Sequence, residues 1–289
     1  MMNTFESTKH HDLRAGRTPL SVCAAAALLL SMLAATVTCA SDAPDWLPNA
    51  KAGDIRVELS LLTKSGSITA KEPLIARVSI ISLSKDPLCL DMGNSGGSPV
   101  HFEICGAAGE VLVSAPKPTP YGPHSIMRLA PGETKNQYWV VTGLYQFDRP
   151  GDYQVQVQFL QSGKDYPILA EATAPAKVLP YDARRLQERC EELFAPFKGK
   201  SAAGDMPDIG ILCRALFNVN DDIVLPYLDW MAKQGERYAV RAIRRLDTPA
   251  AREMLDSLAE RSGKVGETAQ GFRSAPSDGK RNIMWEMGH

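Results

Sequence analysis

Between Asp54 and Val178 apolar and polar residues alternate with the period of a strand; beyond Pro180 they recur with the period of a helix. Ile55, Val57, Leu59 and Leu61 alternate with Arg56, Glu58, Ser60 and Leu62, so one side of this segment faces a core. Leu74 to Ile81 is rich in β-branched residues and bounded by Pro73 and by Ser82–Lys85. Further strands are expected at 87–92, 99–105, 110–114, 125–130, 136–142, 152–160 and 168–178. Turn clusters separate them at Gly93–Ser98, Pro116–Pro123, Pro131-Gly132 and Pro150-Gly151. This spacing, with no helical period between, predicts an antiparallel sandwich.

At Pro180 the pattern changes, and residues 175–182 read as the linker between two domains. Leu186, Cys190 and Leu193 form one helical stripe, Pro196–Pro207 a loop, and short helices follow at 208–218, 221–233, 236–246 and 248–261. Asp221 and Asp222 suit a helix start, as does Thr248 before Pro249. A shift of 27 residues aligns Arg214 with Arg241, Ala215 with Ala242, Leu228-Asp229 with Leu255-Asp256 and Ala232 with Ala259. Helix pairs in tandem at a fixed period point to a helical repeat, with a chance helical bundle as the alternative.

Two short stretches carry a resemblance. Gln146–Val157 places an aromatic, a Pro-Gly turn and Tyr153 ahead of an alternating strand, and Leu129-Ala130-Pro131-Gly132-Glu133 precedes the strand before it. Both resemble corners of bacterial immunoglobulin-like domains, which implies that Tyr153 buries its ring while its hydroxyl bonds backbone. The core Trp and the inter-sheet disulfide of antibody domains are not evident. Residues 225–260 resemble HEAT-like repeats, with Pro226 early in one helix and Ala239–Ile243 in the next. The expected architecture is multidomain, β then α: an antiparallel Ig-like β-sandwich over 54–178 and a small HEAT-like helical domain over 180–262. An N-terminal arm over 41–53 precedes them, and a Gly- and Ser-rich flexible tail over 263–289 follows.

The leader bears on compartment. Lys9, Arg14 and Arg17 precede an apolar run from about Pro19 to Val37, and Thr38-Cys39-Ala40 is a small-residue exit. Residues 1–40 thus read as a signal peptide cleaved before Ser41. Retention as an anchor and lipidation at Cys39 are the alternatives. All three mean export, with the periplasm as the expected site and a secreted or membrane-anchored protein as the alternatives.

Beyond the leader stand Cys89 and Cys105 in the strand-rich half, and Cys190 and Cys213 in the helical half. Disulfides 89–105 and 190–213 are expected, each closing a loop worth about 3 kcal/mol in the chain-entropy model. No cysteine pair has metal-ligand spacing.

The chain of 289 residues has 44% hydrophobic and 22% charged residues and a net charge of −1, which excludes a disordered chain and any global attraction for nucleic acid. Gly93–Gly97 matches a nucleophile elbow formally, but a strand-like segment follows where a helix is needed. Gly199-Lys200-Ser201 has no strand before it and reads as a loop. His101 and His124 lack ligand spacing, and a trio of Asp91, His101 and Ser95 is a chance assembly. The proline-rich loop Ala115–Pro123, with Tyr121, is a rigid connection or a contact surface.

One surface signal remains. Arg237, Arg241, Arg244 and Arg245 form a basic stripe on one helix, opposite Ala239, Val240, Ile243 and Leu246. With Tyr227, Trp230 and Tyr238 nearby, it is the candidate partner-binding surface. The expected function is a non-catalytic exported binding or scaffold protein, with no catalytic residue, metal or cofactor. Its expected partner is an envelope or extracellular protein, acidic in character; nucleic acid is not expected, and membrane only with a retained or lipidated leader. The alternatives are a cryptic hydrolase or enzyme-accessory module, and a protease-inhibitor or carbohydrate-binding sandwich.

Overall fold

Ten strands are followed by six helices in the computed structural model, which describes residues 48–93, 98–115, 125–161, 167–199 and 207–274. Strand β1 (Ile55–Leu62) buries Ile55 and Val57 and exposes Arg56 and Glu58, as its alternation requires. It pairs antiparallel with β3 (Ile75–Ser82), from Ile55 opposite Ser82 to Leu62 opposite Ile75. Strand β8 (Thr134–Val140) closes the other edge of this three-stranded sheet. β3 is apolar almost throughout because it is covered on both faces. Ala76, Val78 and Ile80 enter the core between the sheets, while Ile75 points into the core of the helices.

The second sheet has five strands in the order β2 (Ser67–Thr69), β10 (Ile168–Leu179), β9 (Gly151–Leu160), β5 (Val100–Gly106) and β6 (Val111–Ser114). From β9, Tyr153, Val155, Val157 and Phe159 face the shared core, while Gln154, Gln156 and Gln158 alternate to the other side. β4 (Leu88–Asp91) and β7 (Ile126–Leu129) form a two-stranded sheet. The pairing is antiparallel with one departure from expectation: β2 joins β10 in parallel, Ser67 opposite Lys177 and Thr69 opposite Leu179. At three residues β2 is too short to show an alternation.

Two turns account for the quoted motifs. Gly132 takes φ 72° between β7 and β8, a backbone that suits glycine. There Glu133 donates its N–H to the Ala130 carbonyl at 3.0 Å, and its carboxylate accepts from Ala130 N–H at 2.7 Å. That bond and Lys135 hold the Glu133 carboxyl below its ordinary value. At the other corner Tyr153 buries its ring edge-on to Phe147, 5.2 Å between centroids, and its hydroxyl donates to the Arg149 carbonyl at 2.9 Å.

Residues 175–179, read as linker, belong to β10 and are hydrogen-bonded within the sheet. Only Pro180, Tyr181 and Asp182 separate β10 from helix α1 (Ala183–Phe194), whose first turn Asp182 caps by accepting from Arg185 N–H at 3.1 Å. Then come α2 (Ile209–Phe217), α3 (Leu225–Lys233), α4 (Arg237–Leu246), α5 (Pro249–Ala259) and α6 (Lys264–Ser274). Side chains cap three of these starts: Asp208 for α2, Glu236 for α4 and Thr248 for α5. Of the residues matched by the 27-residue shift, Ala215 and Ala242, Leu228 and Leu255, and Ala232 and Ala259 are buried at both positions, while Arg214, Arg241, Asp229 and Asp256 are not.

Helix α6 corrects the expected tail, which is helical from Lys264 to Ser274. Val265 and Ala269 are buried and Phe272 packs on the helical core. Two glycines, Gly266 and Gly271, mask the helical pattern. Gly266 is required by packing, since a Cβ there would overlap the carbonyl oxygen of Arg261.

The expected cysteine bridges are not present. Cys89 lies in the β4–β7 sheet and Cys105 in the five-stranded one. Cys190 is fully buried in α1 near Glu72 and Asp221, whereas Cys213 on α2 has Glu236, Arg214 and Asp208 as its charged surroundings. Burial pushes the Cys190 thiol up to about 12 and that of Cys213 up to about 11.

Candidate functional site

Helix α4 buries Ala239, Val240, Ala242 and Ile243, which leaves its arginines on other sides. Arg237 is exposed at the first helical position. The Arg241 guanidinium lies over the Tyr238 ring, 5.3 Å from its centroid, and that of Arg244 over Phe272 of α6 at 4.6 Å. A guanidinium over a ring gains cation–π attraction.

Arg245 does not belong to this stripe. It turns inward and donates through Nη2 to the carbonyls of Phe217 at 2.5 Å and Val219 at 3.3 Å, and through Nη1 to Asn218 Oδ1 at 3.3 Å. The end of α2 leaves carbonyls without intrahelical donors, and a long cation in the last turn of α4 reaches them. Burial pulls Arg245 down to about 10, so it remains charged at neutral pH.

Tyr227 and Trp230 are half-buried in a different group, each edge-on to Phe194 with centroids 5.1 Å away. Phe197 stacks on the same ring at 5.4 Å. Burial pushes the Tyr227 hydroxyl up to about 12. The seven candidates thus divide into Arg237, Tyr238 and Arg241 on α4, Arg244 against α6, Arg245 against α2, and Tyr227 with Trp230 against α1.

A second feature, with no sequence signal, lies where β10 meets α1. A cavity of about 630 Å³ is lined by Thr69, Leu179, Pro180, Tyr181, Asp182, Ala183 and Arg185. Beside it Lys71 takes φ 69°, uncommon for a residue with a side chain. Its ammonium pairs with Asp221 at 3.1 Å and lies 5.2 Å from the Tyr181 ring centroid. Glu72, 2% exposed, accepts from Thr69 N–H at 2.8 Å and from Arg185 Nε at 3.2 Å. Arg185 also donates to Ser65 and Ser67, and the buried Arg189 donates to the Leu62 carbonyl at 2.9 Å. These bonds tie α1 to the sheets. The partners lie 113 to 127 residues apart, beyond any local pattern.

The remaining candidates resolve into local roles. His101, 3% exposed, places Nε2 3.1 Å from Ser114 Oγ and 3.5 Å from Glu103 Oε1. Asp91 accepts from Gly93 N–H at 2.8 Å within its own turn. Asn94–Gly97 (including Ser95), residues 116–124 with His124 and Tyr121, Lys200-Ser201 and the leader lie outside the described residues. Among the described residues no group of three His, Cys, Asp or Glu is placed to hold a metal, and no helix is long and apolar enough to cross a membrane.

No family model and no curated protein matches the sequence. Among solved structures, the C-terminal domain of wzt is similar at 11% identity and TM-score 0.31, over 48% of this chain and 81% of that one. A CARDB domain from Pyrococcus furiosus, solved with di-metal ions, is similar at 11% identity and TM-score 0.24, over 44% and 94%. A Paenibacillus cycloisomaltooligosaccharide glucanotransferase is similar at 10% identity and TM-score 0.28; the match covers 43% of this chain but spans only 14% of that enzyme.

Proposed function

We propose that this is an exported, non-catalytic binding or scaffold protein, an Ig-like sandwich fused to a short HEAT-like helical array that docks a protein partner. The observation that carries this reading is the pairing of Arg241 with Tyr238 on α4, a cation held against an aromatic on a solvent-facing side of the array. Arginine and tyrosine are frequent interface anchors, and a rigid platform lowers the cost of ordering them. The Ig-like reading draws on the Tyr153 corner, and the HEAT-like reading on the 27-residue match between buried positions. Export draws on the basic lead and apolar run before Ser41.

The test is affinity capture from envelope extract, with the purified chain and its Arg237→Glu/Arg241→Glu variant as baits. A partner held by the first and lost by the second supports the reading. A partner held equally by both removes α4 as the docking face. The N-terminal mass of the envelope form tests the leader: a chain starting at Ser41 is expected.

A further inference from the structure

Two cations on the outer side of α4 have no acidic partner among the described residues. Among the described residues, Arg237 and Arg241 make no ion pair or side-chain hydrogen bond, whereas Arg244 lies against Phe272 and Arg245 is committed to the end of α2. Helix α4 has no Asp or Glu from Arg237 to Leu246 to neutralise them. Four residues apart, they stand one helical turn from each other, with Cβ atoms about 5–6 Å apart. Tyr238 sits between them in sequence and its ring supports the Arg241 guanidinium.

We infer that this pair binds an acidic helical segment of a partner protein, one with carboxylates a single turn apart on one face. The inference rests on the docking reading above and specifies its chemistry. A helix with acidic side chains at i and i+4 repeats the arginine spacing, so each carboxylate meets one guanidinium fork. Contact with the Tyr238 ring holds the Arg241 guanidinium in place in advance, so less rotamer freedom is lost on binding. The Tyr238 ring edge accepts the apolar stem between the two carboxylates. Two unpaired cations suit such a segment better than a polyanion: surfaces that hold anionic lipid by charge use clusters of about four to eight basic residues, and nucleic-acid affinity grows with the number of phosphates neutralised.

The experiment uses the purified chain and a fluorescent alanine-rich helical peptide with glutamates at i and i+4, compared with its glutamine counterpart. The glutamate peptide is expected to bind roughly tenfold or more tightly, with affinity falling as salt rises. Arg237→Glu/Arg241→Glu is expected to abolish that advantage. Arg252→Glu, a charge reversal on α5 where Arg252 already pairs with Asp247, is expected to preserve it. Thermal unfolding of each variant confirms that the fold is intact. Equal binding of the two peptides overturns the inference, as does an equal loss in Arg252→Glu. Arginine-dependent binding to phosphatidylglycerol vesicles without peptide binding overturns it in favour of a lipid surface. If the captured envelope partner still depends on Arg237 and Arg241 while the glutamate peptide does not bind, the docking reading stands and only this inference fails.

Discussion

Arg245 donates to the Phe217 carbonyl at 2.5 Å, so the last turn of α4 closes the C-terminal end of α2. The same end is tied to the connection between β8 and β9. Gln146 donates through Nε2 to the carbonyls of Asn218, at 3.1 Å, and Thr142, at 2.8 Å. Asn218, 1% exposed, donates to the Arg214 carbonyl at 2.8 Å and accepts from Arg245. A residue on the basic helix therefore acts as an internal support, while its neighbours four and eight positions earlier remain on the surface.

Arg245→Ala should cost about 2–4 kcal/mol, because it strands the Phe217 and Val219 carbonyls and leaves a gap where a long side chain lay. Arg241→Ala should stay within about 0.5 kcal/mol, as for a surface position. Urea unfolding of both variants checks the contrast. Equal costs would return Arg245 to the surface stripe.

The two glycines of α6 should respond with opposite signs. Alanine at 266 meets backbone, the Arg261 carbonyl, which a rotamer change cannot relieve, so Gly266→Ala should destabilise by about 1–3 kcal/mol. A Cβ at 271 meets nothing, and Gly271→Ala should gain about 0.5–1 kcal/mol from helix propensity. Thermal melts of the two variants, moving in opposite directions, are the expected outcome.

Tyr153→Phe should lose about 1 kcal/mol. The ring contacts with Phe147 and Tyr145 remain, while the hydroxyl's bond to the Arg149 carbonyl and its hydrogen bond to the Tyr145 side chain go. A change in urea midpoint with an unchanged slope would place the effect in the hydroxyl's hydrogen bonds and not in the packing around them.

What was legible in the sequence was whatever repeats locally. β1 and β9 show their buried sides through period two, the Pro131-Gly132 turn is marked by its residues, and the helices from α1 to α5 have stripes or side-chain caps near their expected bounds. What was hidden depends on distant partners. Four arginines close together look alike in one dimension, yet Arg245 is set apart by carbonyls 26 to 28 residues earlier. The parallel strand β2 and the Glu72–Arg185 contact likewise depend on segments more than 100 residues away. Helix α6 is masked by two glycines, of which Gly266 serves packing against Arg261 and not a turn.

Glu72 gives a prediction in pH. Burial pushes its carboxyl above the ordinary 4.5, against the opposing pull of Thr69 N–H, Arg185 and Arg189. Burial wins, so the fold favours the protonated group more than the unfolded chain does. Its contribution to stability is therefore fully present below the unfolded value and is lost as pH rises through the higher folded value. Glu72→Gln cannot ionise, and its side-chain oxygen still accepts from Thr69 N–H. The stability of the natural chain relative to Glu72→Gln should accordingly fall as pH rises from about 4 to about 8, while other titrating groups cancel in the comparison. Urea midpoints of both proteins across that range measure the difference. A difference constant with pH would mean that Arg185 and Arg189 compensate the burial of Glu72 fully, and that this carboxylate is an ordinary ion pair.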